Sequence, residues 1–100
     1  MADGSTDPVV TDDQAEQRYE LRLDGRLAGV AEYELRGDII VFTHTEIYPE
    51  FEGHGLAARL ASSVLDDARA RHLRVIPRCP YVAEYIRRHP DYADLTTSHR

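Results

Sequence analysis

Residues 48–60 read "YPEFEGHGLAARL", and this stretch decides the fold. Gly53 and Gly55 stand directly before an apolar repeat of four, Leu56, Leu60, Val64 and Ala68, with Ala57, Ala61 and Leu65 one position on. That stripe predicts a helix from about Gly55 to Arg71. Upstream, "IIVFTHTEI" (39–47) reads as a strand, so the stretch is a strand–glycine–helix junction. Two readings of the glycines stay open. They either permit a tight connection only, or leave the first helical amides pointing outward as a seat for an anion.

Working outward, the segment from Arg18 alternates, with Tyr19, Leu21 and Leu23 on one face and Arg18, Glu20 and Arg22 on the other, and meets a hairpin signal at Asp24-Gly25. Leu27 to Leu35 continues the period of two, and Arg36-Gly37-Asp38 turns the chain into "IIVFTHTEI". Downstream, Asp67 and Arg71 form an i,i+4 pair in the last turns of the helix. "LRVIP" (73–77) gives a short strand, and "YVAEYIRRH" after Pro80 gives a second helix that ends before Pro90. The order is β-β-β-α-β-α. The crossover from "IIVFTHTEI" to "LRVIP" makes those two strands parallel, so the class is α/β with a mixed sheet.

Residues 1–17 are acidic and polar and read as a flexible tail. The domain spans 18–95, and 96–100 are expected to fray. One hundred residues with 42% hydrophobic content suit one domain with one core. A net charge of −6 argues against a nucleic-acid groove, and no apolar run is long enough to span a membrane. With one cysteine and no signal-like start, a cytoplasmic protein is expected. The five histidines show no zinc spacing, so no metal is expected.

Two groups carry candidate chemistry. Alternation in "FTHTEI" puts Phe42, His44 and Glu46 on one face and Thr43, Thr45 and Ile47 on the other, unless a bulge intervenes. His44 and Glu46 then point into one cleft, or His44 merely stiffens the sheet. Cys79, the lone cysteine in "PRCPY", precedes Pro80, a residue suited to the first helical position. Cys79 thus falls at the N-cap beyond the end of a parallel strand, where the helix dipole favours the thiolate.

"YPEFEGHGLAARL" resembles the acyl-coenzyme A signature of the GNAT N-acetyltransferase superfamily, Gln/Arg-x-x-Gly-x-Gly/Ala, with Gly55 and Ala57 on its last two defined positions. Residues 42–95, with "HTEI-P" and "PRCPY", resemble the small stand-alone GNAT-like acetyltransferases. The resemblance implies a minimal acetyltransferase fold whose third strand and "LRVIP" strand splay apart around acetyl-coenzyme A. The pyrophosphate would rest on the amides of Gly53, His54, Gly55, Leu56, Ala57 and Ala58. The pantetheine arm would follow Glu46, Ile47 and Tyr48, with Cys79 near the thioester. Two positions depart from the pattern. Glu52 holds the Gln/Arg place, and Ile86 stands where many relatives carry a tyrosine that protonates the leaving thiolate; either Tyr81 or Cys79 substitutes for it, or release of the thiolate needs no acid.

The implied activity is transfer of an acetyl group from acetyl-coenzyme A to an amine, a lysine side chain or a small polyamine. A free lysine titrates near 10.4, so a base such as His44 with Glu46, or a dry pocket, is needed. Direct attack and a ping-pong route through acetyl-Cys79 both stay open. A coenzyme A-binding sensor without turnover is the alternative. The oligomeric state is open, a monomer being consistent with the sequence.

Overall fold

The computed structural model describes residues 7–96. Five strands form one sheet in chain order: β1 (Val9–Asp13), β2 (Arg18–Leu23), β3 (Arg26–Arg36), β4 (Ile39–Ile47) and β5 (Arg74–Pro77). The first four are antiparallel neighbours, and β5 joins β4 in parallel, as the crossover requires. Helix α1 (Leu56–Ala70) links β4 to β5, and α2 (Pro80–Arg88) follows β5. Short 3-10 turns cover Pro49–Phe51 and Pro90–Thr96.

Both helices pack on the same face of the sheet. Leu60, Val64, Leu65 and Ala68 of α1 and Val82 and Ile86 of α2 join Tyr19, Leu21, Tyr33, Ile40, Phe42 and Val75 in a single core. The period of four in α1 is the imprint of that contact. The opposite face carries Arg18, Glu20 and Arg22, where Glu20 is buried between two guanidiniums at 2.9 and 2.8 Å.

The expected flexible tail is corrected from Val9 onward. Val9–Asp13 pairs residue for residue with Arg18–Arg22 as the edge strand β1. Apolar burial is indeed scarce there; the strand is held by its backbone ladder and by Asp12. That carboxylate accepts from the Tyr33 hydroxyl at 2.6 Å and from Arg71 Nη1 at 3.1 Å. Arg71 also reaches Asp67, which takes the Tyr19 hydroxyl. Such charge-assisted bonds offset ordering where hydrophobic area cannot. The first six residues and the last four lie outside the described residues; of the span 96–100 expected to fray, Thr96 is described, as the end of the Pro90–Thr96 turn.

Burial first, and hydrogen bonding to a carboxylate second, push the phenols of Tyr19, Tyr33 and Tyr92 up, Tyr92 to about 12. Each phenol ionises near 10 in the unfolded chain, so its contribution is complete below about pH 10 and is lost as pH rises through the folded value. The urea midpoint should therefore fall between about pH 10 and pH 12, and fall less in Tyr92→Phe, which lacks the bond to Asp66. A midpoint flat across that range contradicts this.

Two features aim β4 at its neighbours. Gly29 of β3 packs against the end of β4, where an added Cβ would lie 2.6 Å from Glu46 O and 2.5 Å from Ile47 Cδ1. Further back, the β3–β4 register shifts: Glu32 faces His44, yet Tyr33 faces Phe42. Thr43 is thus the extra residue of a β-bulge. Beyond it the alternation is inverted, which corrects the expectation that His44 and Glu46 share the face of Phe42.

Candidate active site

Strands β4 and β5 pair only from Ile39 with Arg74 to Phe42 with Pro77. Their last backbone link is Cys79 N–H to Phe42 O at 2.8 Å. Beyond it β4 runs on through Thr45 and Ile47 with no strand on that side among the described residues. The Tyr48 amide is taken by Ala28 O at 2.8 Å, so alternation turns the Ile47 backbone toward the side that β5 has left. The splay implied by the GNAT resemblance is present, with Ile47 rather than Tyr48 offering backbone groups to it.

A cavity of about 370 Å³ opens at this split. Thr45, Ile47 and Phe51 form one wall, and Tyr81 of α2 stands on another. Glu52, Gly53, Gly55, Leu56, Ala57 and Ala58 bring the glycine turn and the first turn of α1 to its rim. Gly53 and Gly55 have φ of +89° and +72°, so the turn needs glycine for its backbone conformation. Gly55 is the N-cap of α1, no side chain caps that end, and the first turn holds no acid. Arg59 N–H is the first helix amide to find a backbone acceptor, Gly55 O at 3.2 Å. The amides of Leu56, Ala57 and Ala58 precede it, and the helix dipole adds positive potential there. This donor set fits the pyrophosphate of a coenzyme A thioester.

The expected site residues are only partly brought together. Ile47, Gly53, Gly55, Leu56, Ala57 and Ala58 line the cavity, whereas His54 faces the other side of the turn with Leu23 and Arg59. Tyr48 is half-buried against the core. Glu52 is exposed and stands at the cavity rim. His44 and Glu46 stand 3.4 Å apart and about half exposed, on the face opposite Phe42 and the helices. Cys79 is the N-cap of α2, with Pro80 in the first turn. The residue is only 3% exposed, and its thiol is hydrogen-bonded to Thr45 Oγ1 at 3.3 Å, one layer behind the cavity wall.

Sequence reading missed Thr45 and Phe51. Alternation assigned Thr45 away from His44, but nothing in "THTEI" signals the bulge that turns it inward. Ile86, at the place of the usual tyrosine, is buried in the core. Tyr81 does reach the cavity, and burial first, then neighbouring Tyr85, push its phenol up and keep it protonated at neutral pH. Arg87 and Arg88 are both engaged by Glu84. Among the described residues no cluster could hold a metal, and no helix is long and apolar enough to cross a membrane.

Residues 18–95 match the family described as GCN5-related N-acetyltransferase. The human Protein NATD1 is 31% identical over 83 residues, 81% of this chain and 74% of that protein. The Xenopus tropicalis Protein NATD1 is 30% identical over 90 residues, 88% and 83% of the two chains. Among solved structures, a GCN5-like protein from Staphylococcus aureus superposes with a TM-score of 0.68 at 18% identity, over 92% of this chain and 90% of that one. A Neisseria gonorrhoeae N-acetylglutamate synthase, in complex with coenzyme A and N-acetyl-glutamate, gives 0.52 at 22% identity over 61% of this chain and 15% of that one. At these identities the structures speak for the fold.

Proposed function

The chain belongs to the GCN5-related N-acetyltransferase family, and from that premise we propose that it transfers an acetyl group from acetyl-coenzyme A to a primary amine. One observation carries the reading. The uncapped first turn of α1 and the split between β4 and β5 open into the same cavity, so an anion seat and an exposed strand edge lie on one path.

In this proposal the pyrophosphate rests on the glycine turn and the amides of Leu56, Ala57 and Ala58. The arm lies along the backbone of Ile47, which places the thioester at the split beside Thr45. The acceptor amine enters from the uncovered face of the sheet, where His44 removes its proton and Glu46 orients the ring. The amine nitrogen bonds to the acetyl carbon, the carbon–sulfur bond breaks, and Tyr81 gives its proton to the departing thiolate. Burial of Cys79 behind Thr45 supports direct attack over an acetyl-Cys79 intermediate.

The test is intact-mass analysis with mass-tagged acetyl-coenzyme A and a lysine peptide or a small polyamine. Wild type and Cys79→Ala are both expected to label the amine, with no stable adduct on the protein. An adduct found in wild type and absent from Cys79→Ala would establish the ping-pong route. Binding of acetyl-coenzyme A without transfer to either amine would identify a sensor instead of an enzyme.

A further inference from the structure

Thr45 is the hydroxyl-bearing residue of β4 on the cavity wall, and the lone cysteine stands directly behind it. A threonine hydroxyl has one proton to donate and two lone pairs to fill. Taken in the sense Cys79 S–H to Thr45 Oγ1, the 3.3 Å contact between them fills one lone pair and leaves the threonine proton for a ligand in the cavity. Among the described residues this is the only hydrogen bond made by Thr45 Oγ1.

The thiol is itself held in place. Cys79 N–H is fixed to Phe42 O at 2.8 Å, and Cys79 O accepts from Ala83 N–H at 3.0 Å. Its side chain takes no part in capping α2. On the other strand, the bulge at Thr43 sets Thr45 opposite the buried Ala31, on the inward side. The last cross-strand link and the bulge thus fix both atoms of the pair.

We infer that Thr45 is the side-chain oxyanion donor of the acyl transfer, and that Cys79 is a positioning residue which orients the Thr45 hydroxyl by donating to its oxygen. The inference rests on the placement of the thioester at the split. As the amine attacks, the carbonyl oxygen gains negative charge and the Thr45 O–H bond to it shortens, with no proton transferred. The charge returns as the carbonyl re-forms and the carbon–sulfur bond breaks. The pair also accounts for a cysteine at an N-cap. A thiol is a weak acceptor, so the threonine proton is not drawn back toward it.

The test compares Thr45→Val, nearly isosteric, with Thr45→Ser, after equal melting temperatures confirm that both fold. In Thr45→Val, kcat should fall about 100-fold, the usual effect of removing one oxyanion donor. The KM for acetyl-coenzyme A should change little, and Thr45→Ser should recover most of the rate. A second readout needs no turnover. The infrared carbonyl band of bound acetyl-coenzyme A, labelled with carbon-13 at the thioester, should lie below that of the free molecule in wild type and Thr45→Ser. It should return toward the free value in Thr45→Val. An unshifted band in wild type that binds acetyl-coenzyme A, or equal kcat in Thr45→Val, overturns the role of Thr45 and leaves the proposed activity standing. Failure of wild type to bind acetyl-coenzyme A overturns both.

Discussion

Phe42→Ala should cost about 3–5 kcal/mol of folding free energy, the range for truncating a fully buried aromatic ring. Phe42 is completely buried, and its ring meets Tyr33 edge-on at 6.4 Å and Tyr19 at 6.3 Å. A domain of this size has on the order of 5–15 kcal/mol in total, so the variant sits near the threshold of folding. Phe42 is also the last β4 residue paired with β5, and its carbonyl anchors Cys79. Loss of the ring is therefore expected to loosen the split as well as the core. Urea unfolding of Phe42→Ala and Phe42→Leu gives the measurement. A cost below about 1 kcal/mol for the alanine variant, well short of the usual range, would show that the core closes over the gap.

Glu52→Arg is expected to tighten binding of acetyl-coenzyme A. Glu52 stands at the cavity rim next to Gly53, where the proposal places a pyrophosphate. A carboxylate beside that group costs on the order of 1 kcal/mol in a solvent-exposed setting, and reversing its sign adds a gain of similar size. The dissociation constant should drop roughly thirtyfold at low salt, with about half of that free energy recovered by Glu52→Gln. The gain should shrink as ionic strength rises past about 0.15 M, because the residue is exposed. Calorimetric titration at two salt concentrations reads this directly. Unchanged or weaker binding in Glu52→Arg would mean that the pyrophosphate lies away from the glycine turn.

Thr45 and Cys79 show how far local reading reaches. The N-cap position of Cys79 follows from Pro80 alone, since proline prefers the first helical turn. The direction of its thiol does not, because it depends on a hydroxyl 34 residues away on another strand. His44 and Glu46 are a second case. Their common face follows from the period of two, but which face it is depends on a bulge whose cause is the register against β3.

Strand β1 gives the same lesson at the edge of the sheet. Val9–Asp13 lacks the apolar area that marks a strand, and is held by Asp12 through Tyr33 and Arg71, residues distant in the chain. From β2 onward, element type, order and approximate limits were set locally, by alternation in the strands, by the four-residue stripe of α1, and by the glycines and prolines at the junctions. The glycine turn also pointed to free amides at the start of α1, because these are a property of the backbone itself. Only the tertiary structure decided which side chains face the cavity. A bulge inverts every residue after it, and hydrogen bonds between distant residues choose the partner.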